Sequence, residues 1–185
     1  MPKTRGPILV DPMGVYHTMV QANDAQHDAL FEWGLSAKGF PVRLLVPGPP
    51  TNLYDPDVMR ALEQRNVLIV PLRLNPSDLS PDGWCDLFDA DINKPLGITL
   101  FRAAQKLQKQ ERLFSMGDLI QSVELDGKAN DSTKEALLNR LEAARGWQIF
   151  SEGEYTPITE LFVPGVVNVL DLSRLEPGVR GLRNL

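Results

Sequence analysis

The stretch Ile8-Leu-Val-Asp-Pro-Met-Gly14 decides the fold class. Its short apolar run, closed by a carboxylate and then by proline and glycine, suits a parallel β-strand buried on both faces. Two further runs share that character: Val42 to Val46 (VRLLV), ended by Pro47 to Pro50 (PGPP), and Val67 to Leu74 (VLIVPLRL). A proline-rich cluster continues neither a ladder nor a helix, so a loop is expected after Val46. Pro71 removes one ladder donor, which places the third strand at a sheet edge or marks its end. Between the first two strands, Asp24 is positioned to cap a helix to about Lys38, with Gly39 as the stop. Leu30, Phe31, Trp33 and Leu35 supply apolar surface along it.

The character changes at Asn75. Ser80, Pro81 and Asp82 are a helix start: a hydroxyl cap, proline at the first position and an acid in the first turn. A longer helix is expected from Lys94 or Pro95 to Gln110, with Leu96, Leu100, Ala103, Ala104 and Leu107 on one face. Ser115 with Asp118 begins another, through about Val123, and Ser132 with Glu135 predicts a capping box for a helix to Arg145. Residues from about 75 to 146 therefore form a mostly helical insertion within one α/β domain spanning 1–185. A last buried strand, Val166 to Leu170, ends at Asp171 and Ser173, and the residues from Glu176 to Leu185 are expected to start an incomplete helix.

Composition narrows the function classes. A hydrophobic fraction of 43% and a charged fraction of 23% are those of an ordinary globular domain. No apolar run approaches the ~20 residues of a membrane helix. The net charge of −5 argues against non-specific nucleic-acid binding by the chain as a whole. The single cysteine, Cys85, and the lack of a secretory h-region point to a cytosolic protein.

At the end of the first strand Asp11 either caps a turn or holds a magnesium-bound water or a hydroxyl, because ligands of open parallel sheets sit outside the carboxyl ends of strands. Asp171 and Ser173 occupy the same place on the last strand, where helix capping is the commoner use. No GxxxxGK[ST] occurs and no strand ends in paired acids, so the chain alone is not expected to hydrolyse ATP. His17 and His27 lack the neighbouring ligands that a zinc site needs. Cys85, beside Trp84 and Leu87, is most simply a small core residue. Arg102, Lys106 and Lys109 line one helix face, with Arg112 close behind. They form either a solvated face or a contact for a nucleic-acid backbone. Arg174, Arg180 and Arg183 form a second basic cluster, read as surface charge or as a reach toward a neighbouring subunit's nucleotide.

Four stretches together resemble the HerA/FtsK-like ATPases, the DNA-translocating branch of P-loop proteins. ILVDPMGVY (Ile8 to Tyr16) is similar to the strand and turn that follow the family's phosphate-loop helix, where the family often reads DPHGEY. PLRLNPSDLSP (Pro71 to Pro81) resembles the start of its helical insertion. DSTKEALLNRLEAARGWQIFS (Asp131 to Ser151) is similar to a later helix, and VVNVLDLSRLEPGVRGLRNL (Val166 to Leu185) to the strand and helix before its second acidic motif. Met13 and Val15 depart from the family's histidine and glutamate, leaving Asp11, Gly14 and Tyr16 as the matching, cofactor-binding positions. The resemblance implies a partial RecA-like P-loop sheet without its Walker A and Walker B segments, the central segment of an ATP-driven DNA translocase or helicase. It implies ATP and Mg2+ as cofactors, with neither expected to bind the isolated chain tightly. It also implies a ring-forming homo-oligomer or a phosphate-loop-bearing segment as partner, with DNA as a possible further one. The alternative is a non-catalytic interaction or regulatory module that keeps the ATPase-like fold. A further option is a hydrolase using Asp11 or Cys85.

Overall fold

The computed structural model describes residues 6–151 and 153–175. They form an α/β protein around a four-stranded parallel sheet of β1 (Ile8–Asp11), β2 (Val42–Pro47), β3 (Val67–Leu72) and β4 (Val167–Asp171). The spatial order is β1-β4-β2-β3, so the first and third strands are the edges. The helices are α1 (His27–Glu32), α2 (Pro56–Gln64), α3 (Pro81–Leu87), α4 (Pro95–Gln108), α5 (Met116–Glu124) and α6 (Asp131–Gly146). None of the described helices is long and apolar enough to cross a membrane. The chain divides into two compact units, one holding the sheet and the other running from residue 73 to residue 156.

In the sheet unit, register aligns Leu9, Val169, Leu44 and Ile69 in one row across the sheet. Side chains two residues apart share a face, so this row lies with Val42, Val67 and Val167. Together with Tyr54 and Leu62 they build the core, and Met19, Val20, Val58 and Met59 pack against it. The opposite face is less closed. Leu45 is buried there, and Asn168 donates to the carbonyls of Pro7 (3.2 Å) and Val163 (3.3 Å). Arg43, charged yet buried in the central strand, donates to the carbonyl of Glu160. At the edges of that same face Val10 is 52% and Leu68 60% exposed. β1 is thus parallel as expected but an edge strand, not one buried on both faces. Pro71 sits on edge strand β3, where a missing donor costs least.

Three local expectations are corrected. The first helix ends at Glu32 rather than Lys38, because Gly34 (φ 65°) closes it with Leu35 N–H donating to the Leu30 carbonyl and Gly34 N–H to that of Phe31. That is the Schellman arrangement, which stops the helix five residues before the other glycine. Asp24 caps nothing; it opens a short 3-10 turn, and neither N-cap there makes a side-chain bond. The loop after β2 ends at Asp55, where Pro56 at the first helical position begins α2, a helix additional to those expected from the sequence.

The second unit packs α4 against α3, α5 and α6. Its core is Trp84, Leu100, Met116, Leu119, Val123, Leu137, Leu141 and Ile149. Trp84 lies 5.1 Å from Phe150 and 6.2 Å from Phe88, ring centre to ring centre. Ser80 caps α3 through Gly83 N–H (3.0 Å), and Ser115 and Asp118 form the expected capping box of α5. For α6 the cap is Asn130, which accepts from Thr133 N–H at 2.8 Å, and not Ser132. Asn130 already satisfies that donor, so Ser132 lies inside the first turn and bonds Asn130 instead (3.1 Å).

Candidate functional site

In a parallel sheet all carboxyl ends lie at one edge, where loops can converge on a ligand. Here Asp11 of β1 and Asp171 of β4 are register partners at that edge, side by side on the core face, 1% and 4% exposed. Their surroundings decide what these carboxylates can do.

Asp11 Oδ1 accepts from Met13 N–H (3.1 Å) and Gly14 N–H (2.8 Å), and Oδ2 accepts from Tyr16 N–H (2.7 Å). Three of the roughly four lone-pair positions of a carboxylate are therefore filled by the loop that follows it. Asp-Pro-x-Gly folds this way because a short side-chain acceptor can hold backbone donors two and three residues on. Gly14 is required twice over: its φ is 72°, and a Cβ there would lie 2.6 Å from Ser173 Oγ. The loops after β1 and β4 are in this way pressed together. Tyr16 contributes its backbone N–H, and its side chain is 40% exposed.

Asp171 is held by side chains that sequence reasoning passed over. The Tyr54 hydroxyl, buried before α2, donates to Asp171 Oδ2, and Ser173 N–H donates to Oδ1 at 2.8 Å. Arg174 lies over the Tyr54 ring, 4.4 Å from its centre, and its Nη1 is 3.5 Å from the Leu53 carbonyl. Asp171, Ser173, Arg174 and Tyr54 thus tie the end of β4 to the start of α2. No pattern around Tyr54 announces this, since its partner is 117 residues away.

These residues do not fit Mg2+-ATP on their own. Both carboxylates are buried, and their oxygens are taken by backbone or tyrosine donors. No group of three or more His, Cys, Asp or Glu is arranged to hold a metal among the described residues. What the edge offers is a rigid, hydrogen-bonded support for loops.

The basic stripe is on the second unit. Arg102 is engaged with Asp126, Nε at 2.7 Å and Nη2 at 2.6 Å from the same oxygen. Burial pushes the Asp126 carboxyl up, but the Lys128 N–H and Arg102 outweigh it and hold the group below the ordinary carboxylate range. Lys106 and Lys109 are exposed, and Lys109 reaches Gln105 at 3.5 Å. Arg180 and Arg183 lie outside the described residues, as does the helix expected after Leu175.

Cys85 of α3 is buried, with its Sγ 3.6 Å from the carbonyl of Gly97 in α4. Burial, with Asp82 and Asp86 adding to it, raises its thiol from 9.0 to about 11. A thiol so protonated is a poor nucleophile, which supports its reading as a core residue. An open acidic cavity beside it is lined by Asp82, Asp86, Asp89 and Asp91.

No protein-family model matches this sequence, and no curated protein matches it.

Proposed function

We propose that this chain is the central segment of a HerA-like ATP-driven DNA translocase domain, without ATPase activity of its own. The observation that carries the reading is the open sheet. Both edge strands are parallel and unpaired on their outer sides among the described residues, and Val10 and Leu68 leave apolar surface exposed on one face. Parallel sheets are as a rule covered on both faces, and open edges invite further strands. A segment bearing a phosphate loop and the catalytic acids would complete the sheet. The loop clamped by Asp11, Gly14 and Tyr16 and the β4 end held by Tyr54 would then border its nucleotide. The order of the four family-like stretches supports the same assignment, which would place the protein in the cytosol as part of a ring of several copies on DNA.

The test is binding of a fluorescent ATP analogue with magnesium, measured for this chain alone and for its mixture with a HerA-like segment carrying GxxxxGK[ST]. The expected result is no saturable binding by the chain alone, and a complex that binds and turns over ATP in the mixture. Saturable binding and turnover by the isolated chain would overturn the proposal, and so would failure of the two segments to associate.

One observation favours a second reading. Among the described residues the donors around Asp11 come wholly from its own loop, as in a module that retains the fold for binding a partner and performs no chemistry. Association with a partner that carries no phosphate loop, and none with the ATPase segment, would establish that reading instead.

A further inference from the structure

Between α4 and the connection from α5 to α6, the second unit forms an open, solvent-facing cavity of about 180 Å³. Arg102 and Lys106 face it from one helix turn to the next, and Lys128 faces it from the connection, with Ser122, Leu125 and Asp126 completing the wall. Three cations and one carboxylate meet in this space. The carboxylate is already committed: Asp126 Oδ2 takes Arg102, and Oδ1 accepts from Lys128 N–H at 2.8 Å. Its side chain is 7% exposed, so Arg102 is anchored on a buried acid rather than free to swing. The guanidinium spends Nε and one Nη2 hydrogen on Asp126 and has further donors left, for it carries five in all. Lys106 and Lys128 have no ion-pair partner among the described residues. Counting the four groups, the cavity keeps two uncompensated positive charges.

We infer that this cavity binds a phosphate monoester dianion, held by Lys106, Lys128 and the outer face of Arg102. A phosphate carries close to two negative charges near neutral pH and offers three acceptor oxygens, which matches the surplus charge and the three cationic donors, two from α4 and one from the connection. Arg102 gives a fixed, planar set of donors, while the two lysines act as point charges that close on the anion. Leu125 is 68% exposed at the rim. An apolar side chain there suits the sugar or base of a nucleotide better than bare water, so the phosphate could arrive free or on a nucleoside. This inference does not depend on the ATPase-related reading above, since it uses only residues of the helical unit.

The experiment is equilibrium dialysis of the full chain with radiolabelled inorganic phosphate, and in a second arm with a nucleoside monophosphate. Saturable binding at one site is expected. Lys106→Gln and Lys128→Gln should each weaken it roughly ten- to a hundredfold, the effect of losing a hydrogen bond to a charged group. Lys109→Gln, on the same helix but outside the cavity, should change it less than about twofold. Circular dichroism confirms that each variant is folded, as expected for exposed lysines. Tighter binding of the nucleotide that Leu125→Ala abolishes would identify a nucleoside phosphate as the ligand, and equal affinity in the two arms would identify free phosphate. Binding that does not saturate, or that falls equally in Lys109→Gln, would overturn the inference and leave only a diffuse basic surface.

Discussion

Tyr54→Phe removes one oxygen atom and leaves the ring, its packing in the core and its contact with Arg174 in place. What it takes away is the donor to Asp171 Oδ2, with both residues buried (6% and 4% exposed). Among the described residues Asp171 then keeps only the Ser173 N–H, at 2.8 Å on the other oxygen. Hydrogen bonds to charged groups contribute about 1.5–3 kcal/mol, and a buried acceptor left unpaired carries its full desolvation cost. A loss of about 2 kcal/mol in the sheet unit is therefore expected. The suitable assay is native-state hydrogen exchange followed on peptides covering Val42–Pro47 and Val167–Asp171, because it reads the sheet directly whether or not the two units unfold together. At 1.4 kcal/mol per factor of ten, about 2 kcal/mol lowers protection of these strands roughly thirtyfold. Tyr155→Phe, at a 41% exposed tyrosine, is the control and should shift protection less than about twofold. If Tyr54→Phe behaves like that control, the hydroxyl is not a structural tie, and the account of the β4 end is wrong.

Gly14→Ala and Gly34→Ala separate conformational strain from steric conflict. Both glycines have positive φ (72° and 65°), but nothing lies within 4 Å of a Cβ at Gly34. Thermal melts should show a cost of about 1 kcal/mol at Gly34 and clearly more at Gly14, where Ser173→Gly partly restores stability. Ser115→Ala should cost about 1 kcal/mol by removing the α5 capping box, measured by amide protection of α5. The Ser115 N–H and hydroxyl hold the Asp118 carboxyl below its ordinary value. The wild-type contribution is therefore present above that ordinary value and lost as pH falls through the depressed one. The variant should show a flatter acid limb below the ordinary carboxylate range. The raised Cys85 thiol has the opposite sign. It favours the fold below 9.0, and that contribution disappears as pH rises toward about 11, while a thiol reagent near pH 8 should label Cys85 only in denaturant. Rapid labelling of the native chain would contradict its burial.

Much of the fold could be read along the chain, for reasons that are local. Apolar runs bounded by proline and glycine located all four strands, because a strand buried in a parallel sheet needs continuous β-branched and aliphatic side chains. Ser80-Pro81-Asp82 and Ser115-Asp118 marked helix starts, because a cap satisfies donors within three residues of itself. Local signals also failed where two of them competed. Gly34 and Gly39 are both plausible stops, and only the closing bonds to Leu30 and Phe31 select the first. Asn130 and Ser132 are both plausible caps, and only the folded helix shows that Asn130 is the one that accepts from Thr133 N–H.

The sequence by itself therefore determined the α/β class, the helical character of the stretch after Asn75 and the acids at the ends of β1 and β4. Each of these is written in the spacing of neighbouring residues. Tertiary structure alone decided that β4 inserts between β1 and β2, which makes Asp11 and Asp171 partners across 160 residues and gives Asp171 a tyrosine. It also decided that β1 lies at an edge and that Arg102 is spent on Asp126 while Lys106 and Lys128 are not. The physical reason is one of range. Caps, turns and strand runs are set by backbone groups a few bonds away, whereas the protonation, pairing and reach of a charged side chain depend on which distant segment folds against it.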